Sequence, residues 1–176
     1  THYALPITYK QLSNIMSKEI CIIMGSQSDL ETVQGGIDIL KEFKAGFAVK
    51  ILSAHRTPGE LAEYVEDSAK NGAKVFIAAA GGAAALAGVI AAHTILPVIG
   101  IPIETSSLKG LDSLLSTVQM PAGIPVAAMA IGSSGAKNAA IFALEILGVG
   151  DKKISAKLAK YRQEMKAKII RIKIKV

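Results

Sequence analysis

Phe47-Ala48-Val49-Lys50-Ile51-Leu52 runs straight into Ser53-Ala54-His55-Arg56-Thr57-Pro58. A strand-like stretch thus ends in a hydroxyl, an imidazole and a guanidinium, just before a proline suited to the first turn of a helix. Two other apolar stretches end the same way. Glu19 to Met24 leads into Gly25-Ser26-Gln27-Ser28-Asp29, and Lys74 to Ala79 leads into Gly81-Gly82-Ala83-Ala84. In an open parallel sheet all three turns gather at one edge, outside the carboxyl ends of the strands, which is where such sheets bind ligands.

The stretches between them carry helical periodicity. Leu30, Val33, Ile37 and Leu40 recur at three- and four-residue spacings and form a stripe expected to face the sheet, ended by Lys44 to Gly46. Leu61, Tyr64 and Val65 mark the inner side of a helix after Pro58, and Ala83 to Ala92 reads as a small-residue helix. Leu96 to Ile101 is a fourth strand. A loop and short helix over Ser106 to Gln119 carry Leu111, Leu114, Leu115 and Val118, and Val126 to Ile131 is a fifth strand. Gly135 to Leu147 is helix, closed by Gly148 and Gly150. Ile154, Leu158, Tyr161, Met165 and Ile169 stripe a final basic helix. Strands alternating with helices predict one α/β domain, a three-layer α/β/α sandwich on a doubly wound parallel sheet. Residues 19–150 form that domain and 151–176 a helix packed on it or on a neighbouring subunit. Residues 1–18 read as an N-terminal arm or a cloning remnant, with Met16 a plausible native start.

Composition narrows the function classes. A chain of 176 residues, 51% hydrophobic and 19% charged, is no disordered protein. The net charge of +6 is concentrated in the last 26 residues, which hold ten of the 20 Lys and Arg against Asp151 and Glu164. The body is slightly acidic, and the basic end has Tyr161 as its only aromatic, so it reads as a solvated helix face rather than a nucleic-acid site. Val75 to Ala92 lacks charge and is long enough to cross a membrane, but Gly81-Gly82 divides it into a buried strand and an alanine helix. Cys21 is alone and lies in an apolar run, expected buried and unreactive, which fits a reducing, cytoplasmic location.

The three turns offer specific chemistry. Ser26, Ser28 and Asp29 stand between a strand and a helix, where they either present donors to a phosphoester and bind ribose hydroxyls or merely cap the helix. An imidazole gives and takes a proton near neutrality, so His55 is placed for proton transfer; the plain alternative is a ring bonded to a loop carbonyl. Arg56 divides between a phosphate fork and a surface ion pair. His2 lies in the arm, and His93 ends the alanine-rich helix in a surface or capping role. There is no His/Cys/Asp/Glu cluster at ligand spacing, no Walker loop and no complete G-x-G-x-x-G, so a metal, a nucleoside triphosphate or a dinucleotide has no motif here.

Gly25-Ser26-x-Ser28-Asp29, Ser53 to Pro58, Ala80-Gly81-Gly82-Ala83-Ala84, Leu111-Asp112-Ser113-Leu114 and Gln119-Met120-Pro121-x-Gly123-Ile124-Pro125-Val126 occur in one order. That order resembles the N5-carboxyaminoimidazole ribonucleotide mutases, the PurE family of purine biosynthesis, over roughly residues 19–165. The resemblance implies a flavodoxin-like sandwich, a homo-octamer with active sites at subunit contacts, a ribonucleotide substrate, and no metal, ATP or organic cofactor. It implies His55 as proton shuttle in a decarboxylation and recarboxylation, and Ser26, Ser28, Asp29, Ser53, Ala54, Arg56 and Leu86 as substrate contacts. Gly81, Gly82 and Ala83 would bring backbone N–H groups to the migrating carboxylate. The chain departs from the family at Ala85 and Ala87, since Ala83-Ala84-Ala85-Leu86-Ala87-Gly88 stands where the family pattern is Ala-Ala-His-Leu-Pro-Gly. The alternatives are a direct aminoimidazole ribonucleotide carboxylase and, because Ala85 replaces a second histidine, a binding or assembly module without turnover.

Overall fold

The computed structural model describes residues 18–174. The expectations for the arm, for His2 and for Met16 lie outside the described residues. Five parallel strands form the sheet: β1 (Ile20–Met24), β2 (Phe47–Ile51), β3 (Val75–Ala80), β4 (Val98–Pro102) and β5 (Ala127–Ala128). Their order is β2-β1-β3-β4-β5. The chain therefore reverses direction across the sheet between β1 and β3, the switch point of a flavodoxin-like fold. The helices are α1 (Leu30–Glu42), α2 (Pro58–Lys70), α3 (Leu86–Ala92), α4 (Leu111–Val118), α5 (Ser133–Gly148) and α6 (Lys152–Ile170).

Strand alternation builds two cores. Ile20, Ile22 and Met24 of β1, with Ile77 and Ala79 of β3, meet Val33, Ile37 and Leu40 of α1 and Ala136, Ala139 and Ala143 of α5. Cys21, Ile23, Phe76 and Ala78 point the other way, onto Leu61 and Val65 of α2 and Leu86 and Ile90 of α3. Both faces of β1 and β3 are covered, so their sequences are apolar throughout. Val75 to Ala92 is thus strand and short helix, and no described helix is long and apolar enough to cross a membrane. Helices α1 and α5 cross closely at Gly36, where a Cβ would stand 2.5 Å from the Ala136 carbonyl oxygen. Cys21 is buried, and burial pushes its thiol up, against the hydrogen bonds of Ser68 and Tyr64.

Several expectations need correction. Leu30 is exposed, so the stripe of α1 begins at Val33. Helix α3 starts at Leu86 rather than Ala83, because Gly82 takes a positive φ of 66° and residues 82–85 wind into two three-residue turns. In these turns Ala84 N–H donates to Gly82 O (2.8 Å) and Ala85 N–H to Ala83 O (2.7 Å). Strand β5 is two residues long. Beyond it Met129 N–H reaches Gly100 O and Gly132 N–H reaches Pro102 O, so the chain takes three steps where β4 takes two and the ladder breaks. On α4, whose covered face the spacing left open, Ser113 and Thr117 are buried, while Leu111, Leu115 and Val118 are exposed. The stripe of α6 packs only in its first half. Leu158 is buried, Tyr161 meets Phe43 edge-on at 5.7 Å, and Met165 and Ile169 stand in solvent.

Candidate active site

The first turn is locked by its own side chains. Asp29 Oδ2 accepts from Ser26 N–H (3.0 Å), and Ser26 Oγ accepts from Ser28 N–H (3.3 Å) and from the Ser28 hydroxyl (2.9 Å). This reciprocal capping box satisfies donors that would otherwise be orphaned where the chain turns toward α1. The cap role weighed from sequence is therefore real, and it spends the Ser26 and Ser28 amides. The Ser26 hydroxyl keeps its hydrogen for a ligand. Burial pushes the Asp29 carboxyl above the usual carboxylate range, against the opposing pull of Ser26 N–H, the Ser28 hydroxyl and the Arg56 charge.

The second turn closes on itself. Ser53 N–H donates to Thr57 Oγ1 (2.9 Å), and the Thr57 hydroxyl and N–H return to Ser53 O. Arg56 donates from its backbone and from Nε to Ser53 Oγ, then spans to the first turn with Nη2 on Gly25 O at 2.9 Å. Arg56 makes no ion pair among the described residues, so the surface ion-pair alternative gives way to a brace between the loops after β1 and β2. His55 stands at the apex of this turn, exposed. Nothing among the described residues bonds its ring, in contrast to the carbonyl-bonded alternative. His93 caps the end of α3 and meets Glu66 at 3.1 Å, the surface role expected of it.

These turns and the glycine turn after β3 enclose a cavity of about 400 Å³ at the switch point. Ser26, Ser28, Asp29, Ser53, Ala54, His55, Arg56, Gly81, Ala83 and Leu86 all line it, together with Gly25, Ala80 and Ala85. Gly82 does not. Its N–H donates instead to Ser113 Oγ at 2.9 Å, so that donor is withdrawn from any ligand. Among the described residues nothing accepts from the N–H of Gly81 or of Ala83. Ala85, missed as a lining residue, was marked in the sequence only as a departure from the family pattern. A second, apolar hollow of about 600 Å³ lies among Ile95, Leu96, Pro97, Ile124, Pro125 and Phe142. It carries no titratable group, and the Gln119 to Pro125 motif borders this hollow rather than the cavity. Among the described residues no three His, Cys, Asp or Glu side chains converge as a metal-ligand group.

The site can hold an anion on hydroxyls and a guanidinium, and can move a proton on one unencumbered imidazole. Fold and site together define a flavodoxin-like α/β protein whose ligand cavity sits at the β1/β3 switch point. The AIR carboxylase family model matches residues 19–168. The chain is 53% identical over 148 residues to the N5-carboxyaminoimidazole ribonucleotide mutase of Pyrococcus abyssi (strain GE5 / Orsay), covering 84% of each chain. It is 47% identical over 152 residues to the enzyme of the same name from Saccharolobus solfataricus, covering 86% of this chain and 95% of that one. The crystal structure of Treponema denticola PurE superposes with a TM-score of 0.78 at 30% identity, over 86% of this chain and 93% of that chain. The chain belongs to the AIR carboxylase family of enzymes.

Proposed function

We propose that this chain is a purine-biosynthesis isomerase, converting N5-carboxyaminoimidazole ribonucleotide to 4-carboxy-5-aminoimidazole ribonucleotide. The observation that carries the proposal is His55: an exposed ring without an internal partner, lining a cavity whose other walls are a serine turn and a glycine turn. Protonated His55 donates to the exocyclic nitrogen as the N–C bond to the carboxylate breaks, which releases carbon dioxide and the neutral amine. The electron-rich ring carbon attacks that carbon dioxide to form the new C–C bond. His55 then takes the proton from the same carbon, and the ring aromatises. One imidazole serves both steps and ends as it began. Ser26, Ser28, Asp29, Ser53 and Arg56 hold the ribose phosphate, with Ala54 and Leu86 against the base, and Gly81 and Ala83 admit the carboxylate to close backbone approach. No cofactor enters the scheme.

Carbon dioxide must stay in place between the steps, so water has to be kept out. In one chain His55, on the cavity wall, is exposed. Leu108, Leu111, Leu115 and Val118 expose a row of large apolar side chains, which favours burial against further copies in a homo-oligomer, an octamer in this proposal. Light scattering at micromolar concentration is expected to report the assembly; a monomer contradicts it. Ala85 favours a second reading, since its methyl lines the cavity where the family pattern carries an imidazole. On that reading the protein binds ribonucleotide without turnover. Incubation with the N5-carboxylated ribonucleotide, and separately with aminoimidazole ribonucleotide plus bicarbonate, tests the proposal. Turnover of the first without bicarbonate supports the mutase, turnover of the second alone selects the direct carboxylase, and binding without either selects the module.

A further inference from the structure

Ser113 lies on α4, outside the cavity, and its side chain has no exposure at all. Its hydroxyl accepts from Gly82 N–H at 2.9 Å and donates to Ile103 O at 2.8 Å. Ile103 N–H in turn donates to Ala80 O at 2.9 Å. Four groups thus form one circuit through the end of β3, the glycine turn, the chain leaving β4, and α4. The helix is itself held in place around this point. Thr105 Oγ1 donates to the Asp112 carboxylate (2.9 Å) and accepts from Gly110 N–H (3.3 Å), and Thr117 Oγ1 donates to Ser113 O (2.7 Å).

A buried hydroxyl on an otherwise leucine-rich helix costs desolvation unless both its donor and its acceptor capacity are used, and here both are. The Gly82 N–H is fixed on α4, which sets the plane of the peptide joining Gly81 to Gly82, and the positive φ of Gly82 then carries the chain to Ala83. We infer that Ser113 is a positioning residue: it holds the glycine wall of the cavity in the orientation that receives the carboxylate, without touching substrate itself. This rests on the mutase reading, in which that wall faces the migrating group. The other groups in the circuit are main chain, so Ser113 is the member that a side-chain change removes.

Removing the hydroxyl leaves the Gly82 N–H and the Ile103 carbonyl without their partner, so the turn loses its reference point. In Ser113→Ala, calorimetric affinity for 4-carboxy-5-aminoimidazole ribonucleotide is expected to fall about tenfold, while that for aminoimidazole ribonucleotide, which lacks the carboxylate, changes less than about twofold. Ser113→Cys, a weaker donor and acceptor, is expected to fall between wild type and alanine. Ser116→Ala, which loses only an exposed bond to Asp112 O on the same helix, serves as the control and is expected to match wild type. Equal losses for the two ligands, as a loosened fold would give, or no loss for either, overturn the inference. If the wild type binds neither ribonucleotide, the mutase reading fails, and amide exchange still decides the circuit. The Gly82 amide is expected to be protected in wild type and to exchange faster in Ser113→Ala; identical exchange in both overturns the inference on its own.

Discussion

The cavity has two polar corners built on opposite principles. The serine corner, Gly25 to Asp29, is locked from within, by Ser26, Ser28 and Asp29 bonding one another's side chains and amides. The glycine corner, Gly81 to Ala85, has no polar side chain of its own and is locked from outside, by Ser113 thirty-one residues further along the chain. In the proposed function the serine corner meets the phosphate and can carry its own side chains, whereas the glycine corner admits the carboxylate to its backbone and takes its rigidity from a neighbouring element. The His55 turn follows β2, on the far side of the serine corner from the glycine corner, and Arg56 braces it to the serine corner.

Under the proposed function this contrast separates binding from chemistry, and substitutions can break it. The largest effect is expected at His55. His55→Asn should lower turnover about a hundred- to ten-thousand-fold, the range for a lost general acid–base. Ribonucleotide affinity should stay within roughly tenfold, about 1.4 kcal/mol; steady-state kinetics beside calorimetry reads both. Next comes Ala85→His, which adds an imidazole to the cavity wall. It is expected to raise kcat with little change in KM, and an unchanged kcat means the position is a bystander.

Two smaller effects compare the corners directly. Gly82→Ala meets no atom within 4 Å, so its cost is that of a side chain at a φ of 66°, about 1–2 kcal/mol of stability in urea unfolding. Ser26→Ala removes the cap and is expected to cost about 1 kcal/mol and to weaken phosphate binding rather than kcat. A kcat defect in Ser26→Ala with phosphate binding unchanged would erase the division between the corners.

The smallest effect is a pH slope. Because the folded state raises the Asp29 carboxyl, folding takes up its proton more readily than the unfolded chain does. That contribution to stability is complete below the ordinary aspartate range and is lost as pH rises through the raised folded value. Asp29→Asn does not titrate, so it is expected to gain on wild type in urea unfolding as the pH climbs through this window. Parallel curves would place the carboxyl in a more hydrated setting.

Much of this was legible in the chain. The strand ends, the gathering of three turns and the place of His55 follow from apolar runs that stop at glycine, serine and proline. What periodicity left open is which side of a helix is covered. On α1 the stripe from Val33 to Leu40 is buried, whereas on α4 the equally regular Leu111, Leu115 and Val118 face outward. There the sheet side is taken by Ser113 and Thr117, whose hydroxyls are satisfied by Ile103 O and Ser113 O. A period says which residues share a face; it does not say whether the sheet or another molecule meets it. The partner of the Gly82 amide was hidden for the same reason, since Ser113 lies on an element that spacing alone does not bring near.

Carboxyl transfer within one cavity is best tested with N5-carboxyaminoimidazole ribonucleotide labelled with carbon-13 in the carboxyl group, turned over by the wild type in excess unlabelled bicarbonate. The label is expected to appear in 4-carboxy-5-aminoimidazole ribonucleotide undiluted, because carbon dioxide released at the nitrogen is captured at the ring carbon before it leaves. Product carrying the isotopic composition of the bicarbonate would contradict the account.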